Sequence, residues 1–231
     1  MKVDMHVHTI RSKCSLNNIN LLKKICLKND IVPVIADHNL ATKTDFGITG
    51  EEIATDRGEF IGLFLNEEIN EKDIFEAIDK VKEQGGLVYL PHPFDVRRRR
   101  SLCKFNILDD REFIKKVDVV EVFNSRCITN EPNIKAFEYA RKHDFLIGVG
   151  SDAHFIWEIG NAYINFEPFD MDNPKEFLKL LSKYKKDMEI LSKNLEENPW
   201  ISPNYYAKKG CSLNILLFSK VIKKIRRKLD I

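Results

Sequence analysis

The sequence predicts an α/β protein in which a parallel sheet with right-handed crossovers closes into a barrel. Short apolar runs of strand length alternate with amphipathic stretches of helical spacing through most of the 231 residues, the pattern of repeated strand–helix–strand units. Five of the six histidines fall at the carboxyl ends of those runs, where barrels and open α/β sheets collect their functional groups.

In chain order, residues 1–7 read as the first strand. A polar loop follows, and Ile19, Leu22, Ile25 and Cys26 recur at the spacing of one helix face. Residues 31–36 form a buried strand that delivers Asp37-His38-Asn39 at its end. Residues 41–58 read as a loop with a helical turn. Residues 60–65 make the third strand, which runs into Asn66-Glu67-Glu68-Ile69. Ile74, Ile78 and Val81 mark the next helix, stopped by Gly85-Gly86. Residues 87–90 form a fourth strand closed by Pro91-His92-Pro93, whose prolines stiffen the turn. The basic loop Arg97-Arg98-Arg99-Arg100 precedes a helix over 109–117 and a fifth strand over 117–123. Pro132 stands where a first helical turn would start and introduces a helix over 134–143. Residues 145–149 are the sixth strand, ending at Gly150-Ser151-Asp152-Ala153-His154, and 162–166 the seventh. Residues 174–195 give one or two helices, 198–204 a linker, and the end a last helix from 212. The expected division is a barrel domain over 1–197 and a linker with a basic amphipathic helix over 198–231.

Composition fits such a core: 43% hydrophobic and 31% charged residues are typical of a globular chain. Lys and Arg number 37 against 35 Asp and Glu, so net charge by itself predicts no polyanionic partner. Five cysteines (Cys14, Cys26, Cys103, Cys127, Cys211) are odd in number and contain no C-x-x-C pair. That argues against a disulfide framework or zinc ribbon and favours a reducing compartment. With neither a leader nor a membrane-length apolar run, the expected location is cytoplasmic.

His6 and His8 lie two residues apart on a strand, so they project from one side of it. Alternating polar residues on a half-exposed strand would look the same. A site for divalent ions, however, needs neutral imidazoles and carboxylates converging from separate strands. His6, His8, His38, His92 and His154 with Glu68 and Asp152 offer seven such ligands, enough for two ions sharing a carboxylate, or for three.

The set Asp4-x-His6-x-His8-Thr9, Ala36-Asp37-His38-Asn39, Glu68, Pro91-His92-Pro93, Glu121-Val122-Phe123-Asn124-Ser125-Arg126 and Gly150-Ser151-Asp152-Ala153-His154 resembles the polymerase and histidinol phosphatase (PHP) family of metal-dependent phosphoesterases. The resemblance covers residues 1–170. It implies a distorted seven-stranded barrel with additional C-terminal helices, holding two or three ions of zinc, manganese or iron. It implies hydrolysis of a phosphate mono- or diester by a metal-bound hydroxide, with no nucleophilic side chain. By the family pattern His6, His8, Glu68 and Asp152 hold one ion, Glu68 bridges to a second bound by His92, and His38 and His154 serve a third. Glu67 is the alternative to Glu68; the family places its glutamate directly before an apolar residue, here Ile69. The family often has a further ligand seven or eight residues after its first histidine. Lys13 and Cys14 stand there, and Cys14 could ligate as thiolate. Asp4, Asp37 and Glu121 read as carboxylates that orient the ligands or, equally, as loop anchors and salt-bridge partners. His154 or Asp37, beside Asp152, is the candidate to protonate the leaving group.

Arg97 and Arg98 follow the His92 loop and, with Arg126, are candidates to clamp substrate phosphate; a solvated charge run is the plain alternative. In the last helix Ile215, Phe218, Ile222, Ile225 and Leu229 make one stripe among Lys and Arg residues. Docking of that stripe on the barrel or on a second copy is favoured over nucleic-acid or membrane binding. The substrate expected is a small phosphorylated metabolite, a nucleotide or an oligonucleotide end. An amidohydrolase-like metal hydrolase also begins with H-x-H, and a metal-stabilised binding module without catalysis is the reading from a different class.

Overall fold

The computed structural model describes residues 1–210 and 213–229; Cys211 and the expected start of the last helix lie outside them. The fold is mixed α/β, built on one curled sheet of ten strands. Strands β1 (Lys2–Val7), β2 (Ile31–His38), β3 (Ile48–Thr55), β4 (Gly58–Leu63), β5 (Leu87–Leu90), β6 (Val119–Asn124) and β7 (Leu146–Gly150) follow one another in space as in sequence. At the other side of β1 the sheet continues through β8 (Ala162–Asn165), β10 (Tyr205–Ala207) and β9 (Trp200–Ile201).

Two features depart from the expected parallel seven-stranded sheet. Residues 48–55, read as loop, are strand β3, joined to β4 by a two-residue hairpin turn at Asp56 and Arg57. β4 is antiparallel to both β3 and β5, whereas β1–β2, β2–β3, β5–β6 and β6–β7 pair in parallel. Residues 200–207, expected within and just beyond the linker, supply two antiparallel edge strands that bury Trp200 and Tyr205.

The helices pack outside the sheet. In α1 (Ile19–Asn29) the Asn18 side chain caps the first turn and left-handed Asp30 ends the helix. Asp73 caps α2 (Ile74–Glu83) and Gly85, at φ +75°, ends it. Short α3 (Arg111–Lys116), α4 (Glu131–Lys142) with proline in its first turn, α5 (Pro174–Tyr184) and α6 (Asp187–Leu191) complete the outer layer. Inside, Met5, Val34, Phe60, Tyr89, Val120, Phe123 and Ile147 form a continuous apolar core.

The curl brings the end of β7 back to β1. The His8 amide donates to Ala153 O at 3.0 Å, and the Ser151 amide to Asp4 Oδ1 at 2.9 Å. All ring-forming parallel strands therefore end at one rim. Helix α7 (Leu213–Leu229) lies across that rim: Arg226 donates to the carbonyls of Ile10, Ser12 and Ser15, and only Ile222 of its apolar stripe is buried. Among the described residues no helix is long and apolar enough to cross a membrane.

Candidate metal centre

Every strand end at the rim contributes. β1 carries His6 and is followed directly by His8, β2 ends in His38, β3 presents Glu52, and β4 brings Glu59 as its second residue. The turn after β5 holds His92, and the segment after β7 holds Asp152 and His154. His6 and His8 Nε2 stand 3.1 Å apart, with Asp152 Oδ1 3.2 Å from the latter. Glu52 reaches four imidazoles: His38 Nδ1 at 2.7 Å, His92 Nε2 at 3.2 Å, His8 Nε2 at 3.6 Å and His6 Nε2 at 3.9 Å. Four sets suited to an ion result: His6, His8 and Glu52; His6, His92 and Asp152; His8, His38 and His154; His38, Glu52 and Glu59.

Hydrogen bonds made by the other ring nitrogens show what these atoms can accept. His6 Nδ1 is 3.1 Å from Glu121 Oε1, and a carboxylate only accepts, so this nitrogen carries a hydrogen. His8 Nδ1 is 3.3 Å from Ser12 Oγ, whose own hydrogen goes to Asp37 Oδ1 at 2.6 Å; His8 Nδ1 is therefore a donor too. In the neutral rings both Nε2 lone pairs point into the same 3.1 Å gap. That contact is repulsive unless a cation or a proton sits between them. Without a cation the proton belongs to His6. Burial works against its charge, but Asp152, Glu121 and Glu52 outweigh burial and push it up to about 9. Burial holds His8 down at about 4. Asp152 Oδ1, fully buried, receives no hydrogen bond. A cluster of nitrogen lone pairs and an unpartnered carboxylate oxygen fits a divalent ion.

The surroundings hold these groups in place. Glu121 accepts four hydrogen bonds: His6 Nδ1 and Tyr89 Oη on one oxygen, the His92 amide and Asn124 Nδ2 on the other. Gly150 lies under it, where a Cβ would stand 2.3 Å from Glu121 Oε1 and 2.4 Å from His6 Cβ. Arg98 donates to Asp152 Oδ2 and, at 3.2 Å, to Asp95, so that Asp152 is ionised well below the usual carboxylate range despite its burial. His92 and Asp152 both adopt left-handed backbone, at φ +32° and +53°, an unfavourable conformation that is common at functional sites. His154 Nδ1 donates to the Asp152 carbonyl at 2.8 Å. Burial, together with Arg126 and His8, keeps its ring neutral and its Nε2 free to accept.

The structure thus brings together His6, His8, His38, His92, Asp152 and His154. It does not bring Glu68, which is exposed. β4 runs antiparallel to its neighbours, so Glu67 and Glu68 emerge at the opposite end of the sheet, where the amides of Asn66 and Glu67 bind Gln84. Glu52 stands in the expected place, and it too is followed by an apolar residue, Ile53. The sequence contains Glu-Glu-Ile twice, and the β-branched residues Ile48, Thr49, Ile53 and Thr55 around the first, before an Asp-x-Gly turn, are the signal that distinguishes them.

Three further residues have other work. Asp37 receives the Thr9 amide and the hydroxyls of Thr9, Ser12 and Thr42, which fills its oxygens and makes it the anchor of the loop after β1. Arg126 is buried, donates to Glu158 at 2.6 and 2.8 Å and to Ser219 of α7 at 2.9 Å, and so cannot clamp substrate. Asp4 receives the amides of His6, Ser151 and Gly160 and ties β1 to the β7 end; burial raises it to about 6. Cys14 is buried against His38, and the Arg97 side chain is exposed.

The curled sheet with its histidine-rich rim defines a PHP-type barrel with a candidate metal centre. The PHP-associated (PHP_C) family matches residues 130–185. An uncharacterised protein of Methanocaldococcus jannaschii is 60% identical along the whole of both chains, and a second is 38% identical over 54% of this chain and 82% of its own. Solved structures share the fold. A two-domain Bacteroides vulgatus protein described as containing a PHP-like metal-dependent phosphoesterase matches with TM-score 0.53 and 15% identity, over 71% of this chain and 58% of its own. A Bifidobacterium adolescentis protein described as a metal-dependent phosphoesterase matches with TM-score 0.55 and 17% identity, over 66% and 87%. An amidohydrolase of Chromobacterium violaceum also matches, with TM-score 0.55 and 12% identity, over 78% and 97%. The chain thus carries a PHP-associated segment over residues 130–185 and shares the fold of PHP-like metal-dependent phosphoesterase structures.

Proposed function

We propose that the chain is a metal-dependent phosphoesterase that holds divalent ions on His6, His8, Glu52 and Asp152, with His92, His38, Glu59 and His154 serving the adjoining positions. The observation that carries this reading is the pair of Nε2 lone pairs 3.1 Å apart beside an unpartnered Asp152 oxygen. Bound divalent ions supply an acidified water and neutralise phosphate oxygens. The chain's own residues do the rest. Glu121 fixes the His6 tautomer, Ser12 that of His8, and the Asp152 carbonyl that of His154. Arg98 keeps Asp152 ionised while leaving its second oxygen toward the histidines. Burial of the cluster excludes bulk water except at His38, whose side chain is 32% exposed.

The test is metal analysis of the purified chain together with hydrolysis of an aryl phosphate and a diaryl phosphodiester in added Mn²⁺, Zn²⁺ or Fe²⁺. A bound transition ion and hydrolysis abolished by His8→Ala, but retained in His143→Ala outside the cluster, is the expected result. Absence of both bound ion and hydrolysis under all three metals would overturn the reading.

A further inference from the structure

The only cluster imidazole with substantial exposure, His38, opens into a cleft of about 370 Å³. That cleft is where a substrate would reach the metal centre, and its walls are strongly basic: Arg11, Lys13, Arg100, Lys223 and Arg227, against a single carboxylate, Glu59. The last two cations come from α7. The same Lys223 and Arg227 line an adjoining hollow with Lys220, Lys224 and Lys228. One basic track therefore runs from the mouth of the centre along the helix. Described α7 contains no acidic residue. Its sixth cation, Arg226, is used differently, its guanidinium gripping the carbonyls of Ile10, Ser12 and Ser15, which fixes the helix across the loop that follows His8.

Resting on the phosphoesterase reading, we propose that α7 and the cleft below it form a binding track for the backbone of a single-stranded nucleic acid whose end enters at His38. Charge is the first argument. A single phosphate at the metal centre needs none of the cations along the outer helix, whereas a chain of phosphates neutralised by Lys and Arg gains from each one through counterion release. Extent is the second. Lys220 to Lys228 spans about 12 Å of helix, room for about three successive phosphates. Shape is the third: the cluster is buried except at His38, which suits a strand end entering the cleft better than a duplex lying across it.

The experiment uses the full chain in chelator, so that binding is read without turnover, with a fluorescent eight-nucleotide single strand as probe. Wild type is expected to bind with a steep salt dependence. The variant Lys220→Gln/Lys223→Gln/Lys224→Gln/Arg227→Gln, its fold checked by circular dichroism and melting, should lower the slope of log K against log salt by about 3, since each lost charge removes about 0.7 for a single strand. In the metal-loaded wild type the unlabelled strand should inhibit aryl-phosphate hydrolysis competitively. No binding by wild type, an unchanged slope in the variant, or binding without competition would each overturn the proposal. Binding to phosphatidylserine vesicles but not to the strand would overturn it in favour of a membrane surface. Hydrolysis of aryl phosphate without strand binding removes this inference and leaves the phosphoesterase reading; strand binding without any hydrolysis does the reverse.

Discussion

Replacing Glu121 by glutamine changes one carboxylate oxygen to an amide and should uncouple the histidine pair from the sheet that holds it. Glu121 serves four donors at 3.1, 3.0, 2.7 and 2.9 Å, two on each oxygen. Glutamine retains one accepting oxygen, so two of the four donors must face an NH2 group. If the NH2 faces His6, that ring must accept on Nδ1, its hydrogen moves to Nε2, and the atom aimed at His8 can no longer ligate. If it faces the His92 amide and Asn124, two buried donors lose a charged acceptor, at about 1.5–3 kcal/mol each. The first arrangement should weaken metal binding at least in the range of about 10–100-fold found for partners of ligand histidines. The second should cost about 3–6 kcal/mol, or roughly 6–24 °C in melting temperature for a chain of this size. Melting in chelator and a Zn²⁺ titration of the same protein distinguish them. A Glu121→Gln protein that melts within 2 °C of wild type and binds the ion with unchanged affinity would refute the tautomer argument, since both arrangements would then be costless.

Glu52→Gln should lose metal affinity by more than the roughly 10–100-fold typical of indirect partners, while Glu68→Gln, exposed at the other end of the sheet, should leave it unchanged and alter stability by at most about 0.5 kcal/mol; isothermal titration of the two variants compares them directly, and equal losses would contradict the assignment. Gly150→Ala should push Glu121 and His6 apart, with an overpacking cost of about 1–3 kcal/mol and weakened metal binding; denaturant unfolding and ion titration show whether the backbone yields instead. Glu51, fully buried on the opposite face of β3, has its carboxyl raised by burial from 4.5 to about 7. The folded state therefore holds this proton more tightly than the unfolded chain, and the stability it contributes is lost as pH rises from 4.5 through 7, by about 3 kcal/mol in all. Glu51→Gln should abolish that part of the pH dependence in urea unfolding at pH 5 and 8, and a wild-type-minus-variant difference constant across that range would contradict it.

Much of this arrangement was legible in the residues because apolar runs and histidines coincide. His6, His8, His38, His92 and His154 all follow or end segments that periodicity alone marks as strands, and the structure draws all five together. β3 was not legible in the same way. Its Gly50-Glu51-Glu52 core is polar in sequence, yet Glu51 and Glu52 are both buried, one beneath the loop at Ile69 and the other among the imidazoles. A strand that places carboxylates on both faces looks like a loop by hydrophobicity. The α7 stripe is covered less by the barrel than its spacing promised: within one chain Arg226 and Ser219 tie the helix down by hydrogen bonds, while Leu217, Phe218, Val221 and Ile225 stay half exposed.

The missed strand matters beyond its own residues because strand direction decides at which end of a sheet a side chain emerges. With β3 read as loop, the next strand is a parallel member of the barrel, and whatever follows it, Glu68 included, belongs to the ligand rim. With β3 present, a two-residue turn reverses the chain and β4 runs back toward the far end. The residues at the turn, not those after β4, then lie at the rim. Glu52, opposite His38 in the β2–β3 register, and Glu59, at the start of β4, are both brought to His38 by that one hairpin. The same reversal sends Glu68 to the Gln84 end of α2. The parity of the sheet selects between two identical Glu-Glu-Ile triplets, and only the first can reach the histidines.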